Sequence, residues 1–221
     1  MTDIIALDGP LQLVPVVALE PARFSREARD VPIVSVQDDP AAWYRYWKDS
    51  LADAHIDDIE PISHGSWWVA TRTLTDKTLP VLLHELLLDH QQRIDVEGIG
   101  MLFGGYALLH EDTVVIEHTC CTDFGDIAEW EHAAAYRRAE WKDIWIGHPQ
   151  TCVRFDRGRL LLSDLRDDGT VVAKFSLEPA MLAKAVAQAK QECVTFIRRC
   201  MSTIEQDDDL RRLHQNLVEA V

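Results

Sequence analysis

Two short stretches hold most of the residues that could do chemistry. His118-Thr119-Cys120-Cys121-Thr122-Asp123 and His148-Pro149-Gln150-Thr151-Cys152 bring together two imidazoles and three thiols. Thiolates and imidazoles are the donors zinc prefers in a tetrahedral site. His118, Cys120, Cys121, His148 and Cys152 are therefore the candidate ligands of a zinc-stabilised structural module. Two features argue against it. No Cys-x-x-Cys occurs, and neighbouring side chains of an extended chain point to opposite sides. Buried thiols filling a core beside a loop are the plainer expectation. The same residues offer a second chemistry, a cysteine-dependent hydrolase or transferase. Cys121 at a helix N-terminus would have a lowered pKa, and His148 would serve as its base. Nothing in the spacing brings His148 to Cys121, and no nucleophile signature surrounds that cysteine. No catalytic residue and no cofactor is assigned on this basis.

Other tempting motifs fail on geometry. His84-Glu-Leu-Leu-Leu-Asp-His90 lacks the i, i+4 histidine pair that two zinc ligands on one helical face require, because position 88 is Leu. His84 and His90 would lie about 120° apart around a helix, and they read as polar residues of an amphipathic helix. Gly98, Gly100, Gly104 and Gly105 have the wrong spacing for a phosphate loop and precede a predicted strand instead of following one. Acidic pairs such as Asp38-Asp39, Asp57-Asp58 and Asp167-Asp168 are too numerous for one to stand out as a glycosidase pair.

Charge narrows the class of partner. Lys+Arg number 22 and Asp+Glu 37, a net charge of −15 over 221 residues. A surface this negative repels phosphate backbones and anionic membranes, and the arginine pairs 137–138, 198–199 and 211–212 each sit near acids. No nucleic-acid or membrane partner is expected. Such a field attracts a basic protein or a cation. Five cysteines, an odd number in a mid-sized chain, point to reduced thiols in a cytoplasm. No apolar run approaches the roughly 20 residues of a membrane helix.

The elements that must position these residues follow from periodicity. The chain reads as one α+β domain over 1–221, with a mostly antiparallel central sheet flanked by helices. Residues 1–40 are punctuated by five prolines and read as an extended segment, with short β runs at 11–19 and 31–36 on a sheet edge. Asp39-Pro40 opens a helix whose Trp43, Trp47 and Leu51 share a face. A strand is predicted at 66–72 and a helix at 78–94. A hairpin follows over 106–118 around Glu111-Asp112, then a helix at 124–138 capped by Asp123, with Ile127, Trp130 and Ala134 inward. Strands at 145–147, 152–156, 159–165 and 170–175 turn at Arg157-Gly158 and Asp167-Asp168-Gly169. Residues 178–221 form C-terminal helices, a long one over 178–204 with Leu182, Val186, Ala189, Cys193, Ile197, Cys200 and Ile204 inward. A terminal one carries Leu210, Leu213 and Leu217.

The stretch Gly105-Tyr106 through His118-Thr-Cys-Cys-Thr-Asp-Phe-Gly-Asp-Ile-Ala-Glu-Trp130 to Trp145-Ile-Gly-His-Pro149 resembles bacterial immunity proteins that travel with polymorphic toxins, including those of the SUKH superfamily. The resemblance spans about 45 of the 221 residues. It implies a small, acidic, cytoplasmic α+β protein without catalytic activity that neutralises a toxin by binding it. Toxins that cut nucleic acid are basic where they grip phosphate, so an acidic protein with aromatic anchors is a natural inhibitor. Seven tryptophans supply anchors. The expected contact face is the acidic loops carrying Asp57, Asp58, Asp123, Asp126 and Glu129, with nearby Trp130.

Overall fold

A computed structural model describes residues 4–92, 104–118, 120–164 and 171–212. The chain, read above as one domain, divides into two compact units, one of Met1–Val16 with Phe103–Cys193 and one of Val17–Leu102 with Val194–Val221. The class is mixed helix and sheet, with two mostly antiparallel sheets and a long C-terminal helix.

The first unit holds a five-stranded sheet of order β1-β9-β8-β7-β6. Its strands are β1 (Ile5–Ala6), β6 (Lys142–Ile144), β7 (Thr151–Asp156), β8 (Arg159–Ser163) and β9 (Ala173–Leu177). β6 through β9 pair antiparallel. Arg157 and Gly158, both at positive φ, make the two-residue turn that the right-handed strand twist favours. β1 pairs parallel to β9, with Ile5 beside Phe175. Arg159 holds that edge, donating to Ser176 Oγ at 2.6 Å and to Asp8 Oδ1 at 2.6 Å. The predicted strand at 145–147 shifts upstream into β6, and residues 145–147 are irregular. The predicted turn at 167–169, with Thr170, lies outside the described residues.

The second sheet has the order β3-β2-β4-β5, from β2 (Leu11–Ala18), β3 (Trp68–Ala70), β4 (Gly104–His110) and β5 (Thr113–Ile116). Glu111 and Asp112, at φ +50 and +65, close the predicted β4–β5 hairpin. β2 corrects the edge expectation for residues 11–19. It lies between two neighbours although Pro15 removes one ladder donor, and the unbroken burial of Leu13 through Ala18 outweighs that loss.

Helices α4 (Ile127–Ala135) and α5 (Pro179–Gln206) complete this unit's core. Trp130 is wholly buried there with Tyr106, Leu108, Ile144, Val153, Leu162, Leu182 and Val186. α4 ends at Ala135 and not at 138. A 3₁₀ turn at Phe124–Asp126, capped by Asp123, leads into it.

The second unit packs α1 (Pro21–Phe24), α2 (Pro40–Asp53) and α3 (Thr78–Gln92). α2 starts as its sequence demands: Asp39 Oδ1 accepts from Ala42 N at 2.9 Å, with Pro40 in the first turn. Trp47 and Leu51 are buried, and Trp47 Nε1 donates to Leu19 O at 2.9 Å. Residues 31–36 are not a strand. Pro32 lacks a donor, Ser35 turns the chain onto Asp38 N, and Ile33 is fully exposed. In this unit α5 buries Phe196, Cys200 and Ile204, while Ile197, expected inward, is 44% exposed. From Cys193 a step of three or four stays near one helical face, and the larger Phe196 occupies the inner position. Asp207 caps a helical turn over 208–212 through Asp209 N and Leu210 N. Leu210 is buried. Leu213, Leu217, Gly98, Gly100 and the predicted helix end at 93–94 lie outside the described residues, as does the His90 side chain. No described helix is long and apolar enough to cross a membrane.

Candidate functional site

Two loops of the first unit meet, one running from β5 to the 3₁₀ turn and the other from β6 to β7. Cys120 and His148 form an isolated antiparallel bridge, with His148 N donating to Cys120 O at 3.0 Å. The first loop is anchored to β4 at its C-terminal end. Thr122 Oγ1 donates to Gly104 O at 3.3 Å, and Tyr106 Oη donates to Phe124 O at 3.0 Å. Gly147 makes the approach possible. Its φ is +119, and a Cβ there would lie 2.7 Å from His118 Cβ and 3.0 Å from Cys120 O.

The backbone then overturns the expectation that adjacent cysteines diverge. Cys121 has φ +60, in the left-handed region. Strand alternation fails at such a residue, and the two thiols fall on the same side. Cys121 Sγ lies 3.4 Å from Cys120 Sγ. These thiols and the His148 imidazole offer donor atoms all within 4.8 Å of one another. Both cysteines are exposed and His148 is half-buried. The Trp145 ring stands edge-on to His148, with centroids 5.0 Å apart at 89°.

The other two proposed ligands do not join this group. His118 is buried, and burial together with the nearby His148 pushes its pKa down to about 4, so it is neutral near pH 7. Cys152 is buried and donates to Asp143 Oδ1 at 3.0 Å, and burial and that carboxylate push its thiol up to about 11. A closed structural site built from all five residues is thus not assembled. The nucleophile reading meets its own correction. Cys121 and His148 are neighbours, but the Cys121 thiol is raised, first by its hydrogen bond with Cys120 and then by desolvation. An activated cysteine needs the opposite shift. Nor does Cys121 start a helix, since Asp123 is the cap. All five cysteines are free thiols.

The residues of the predicted acidic contact face are divided between the two units. Asp57 is exposed and 3.5 Å from Lys77 Nζ. Asp58 accepts from Thr78 Oγ1 at 2.7 Å and Thr75 Oγ1 at 3.0 Å, which holds its carboxyl below the usual range. Both belong to the second unit. In the first, Asp123 and Asp126 form a reciprocal capping box, with Asp123 N donating to Asp126 Oδ2 at 2.9 Å. Asp126 is buried, which raises its pKa. Glu129 is half-buried, 3.4 Å from His132 Nδ1. Trp130 has no exposed surface, so it anchors the core and cannot meet a partner.

The aromatic residue that does face outward is Trp145, 50% exposed and the only exposed one of the seven tryptophans. The signal for it was present: Ile144 and Ile146 flank it, and strict alternation with two buried isoleucines puts the middle residue outside.

The chain matches no protein-family model, no curated protein and no solved structure at a significant level.

Proposed function

We propose that this chain acts by binding a basic protein partner, in the manner of an immunity protein that neutralises a toxin, and not by turning over a substrate. The observation that carries the reading is Trp145, half-exposed just beyond β6, an edge strand of the five-stranded sheet. An edge strand presents unpaired backbone groups to a second chain. A tryptophan held by a neighbouring ring is a preorganised anchor, and tryptophan is prominent among residues that dominate binding energy. Trp145 thus takes the aromatic contact role in place of Trp130.

Charge supplies attraction, not the address. The first unit has 10 Lys+Arg against 17 Asp+Glu, net −7, and the second 12 against 20, net −8. With the surplus divided so evenly, electrostatics would speed encounter with a cationic partner while the Trp145 surface sets the docking position.

The test is co-expression with the product of the adjacent open reading frame, the candidate toxin. The expected result is protection of the host and co-elution on gel filtration. Trp145→Ala should weaken the complex about 30-fold, the equivalent of roughly 2 kcal/mol for an interface anchor. Neither protection nor a complex from the unaltered chain would end the proposal.

A further inference from the structure

We propose that Cys120 Sγ, Cys121 Sγ and a ring nitrogen of His148 together bind one thiophilic divalent cation of the zinc class. The proposal is independent of the partner-binding reading above and concerns the same loops only by proximity.

Donor chemistry comes first. Two thiolates and an imidazole suit zinc, and soft sulfur ligands discriminate against magnesium and calcium. Geometry follows. With zinc–sulfur bonds of about 2.3 Å and tetrahedral angles, two sulfurs on one ion stand about 3.8 Å apart. Cys120 and Cys121 already place theirs at 3.4 Å, so small side-chain rotations would complete the pair. The imidazole lies in the same group, within 4.8 Å. Adjacent cysteines on extended backbone would not do this, and the left-handed conformation of Cys121 is what turns both thiols to one side.

The site is also held in advance. The Cys120–His148 backbone hydrogen bond ties the two ligand-bearing loops, and the Trp145 ring lies edge-on to the imidazole. Ligands fixed before the ion arrives need little ordering on binding. Three protein ligands with both cysteines exposed leave the fourth corner of the tetrahedron to water or to a group from another molecule, which is the open arrangement and not the closed structural one. On binding, the two thiols release two protons to solvent, and the thiolates and the imidazole each donate an electron pair to the ion. The net charge of −15 favours the arrival of a cation.

The experiment uses the full, reduced chain under anaerobic conditions. Cobalt(II) titration should give thiolate-to-metal charge-transfer absorption and tetrahedral ligand-field bands saturating at one ion per chain. Zinc(II) should displace the cobalt. Trp145 fluorescence should change on metal binding, and Trp145→Phe should remove that change without removing the bands. Cys120→Ser, Cys121→Ser and His148→Gln should each weaken binding on the order of tenfold or more, while Cys152→Ala should leave it intact. A measurement on the unaltered chain guards against variants that fail to fold. Iodoacetamide labelling mapped by mass spectrometry should mark Cys120 and Cys121 in the metal-free protein, and one equivalent of zinc should shield both. Absence of the charge-transfer band, or equal labelling of both cysteines with and without zinc, would overturn the proposal.

Discussion

Replacing Gly147 by Ala probes the contact on which the Cys120–His148 geometry depends. Two costs add. The backbone is at φ +119, where a side chain is strained by roughly 1–3 kcal/mol. The new Cβ would stand 2.7 Å from His118 Cβ, 2.9 Å from His118 Cγ and 3.0 Å from Cys120 O. Carbon atoms pack at about 3.5–4.0 Å, so the two loops must part by about 1 Å, and overpacking of that kind costs roughly 1–3 kcal/mol. The expected loss is about 2–6 kcal/mol. Gly158→Ala is the matched control. It also sits at positive φ, +85, but a Cβ there meets nothing within 4 Å. Only the backbone cost applies, about 1–2 kcal/mol. Denaturant unfolding of both variants, followed by tryptophan fluorescence, gives the comparison. Equal destabilisation by the two substitutions would refute the argument that close approach of the loops at Gly147 holds the site together.

Two further outcomes follow from burial and hydrogen bonding. Trp130→Ala should cost about 3–5 kcal/mol because it empties a wholly enclosed core position, whereas Trp145→Ala should cost less than about 1.5 kcal/mol, the scale of one aromatic contact; the reverse order in a melting series would contradict the assignment of core and surface. Asp58 is held below its ordinary pKa by Thr78 and then Thr75, so its ionised form favours the folded state; that stability is full above the unfolded pKa of about 3.9 and is lost as pH falls toward the lower folded value. The stability gap between the unaltered chain and Asp58→Asn should therefore be open at neutral pH and close below about pH 4, and a gap that widens on acidification would show the sign to be wrong.

Local chemistry was enough for much of the framework. Asp39-Pro40 carries the cap and first-position signals of a helix start, and Glu111-Asp112 and Arg157-Gly158 take the left-handed conformations of tight hairpins. The recurrence of Leu182, Val186, Ala189, Cys193, Ile197, Cys200 and Ile204 at steps of three and four specifies an amphipathic helix however the rest is arranged, even though Ile197 itself turns out exposed. These signals act over a few residues, where backbone sterics and side-chain period decide the outcome. Where two local rules competed, reading along the chain chose wrongly: proline argued for a sheet edge at Pro15, and the apolar run around it argued for the interior that β2 occupies.

From its amino acids alone, this chain was bound to be acidic, mixed in helix and sheet, free of a long apolar span, and furnished with two stretches rich in thiol and imidazole. Folding in three dimensions decided what those stretches amount to. Cys120, Cys121 and His148 converge because one cysteine adopts a left-handed backbone and because Gly147 lets a distant loop come within hydrogen-bonding range. Cys152 and His118, equally suitable by type, are withdrawn by burial. Trp130 is enclosed while Trp145 faces out, a difference of packing that residue identity does not carry. Contacts between residues far apart in the chain depend on which surfaces are buried together, and that choice is made by the whole core at once.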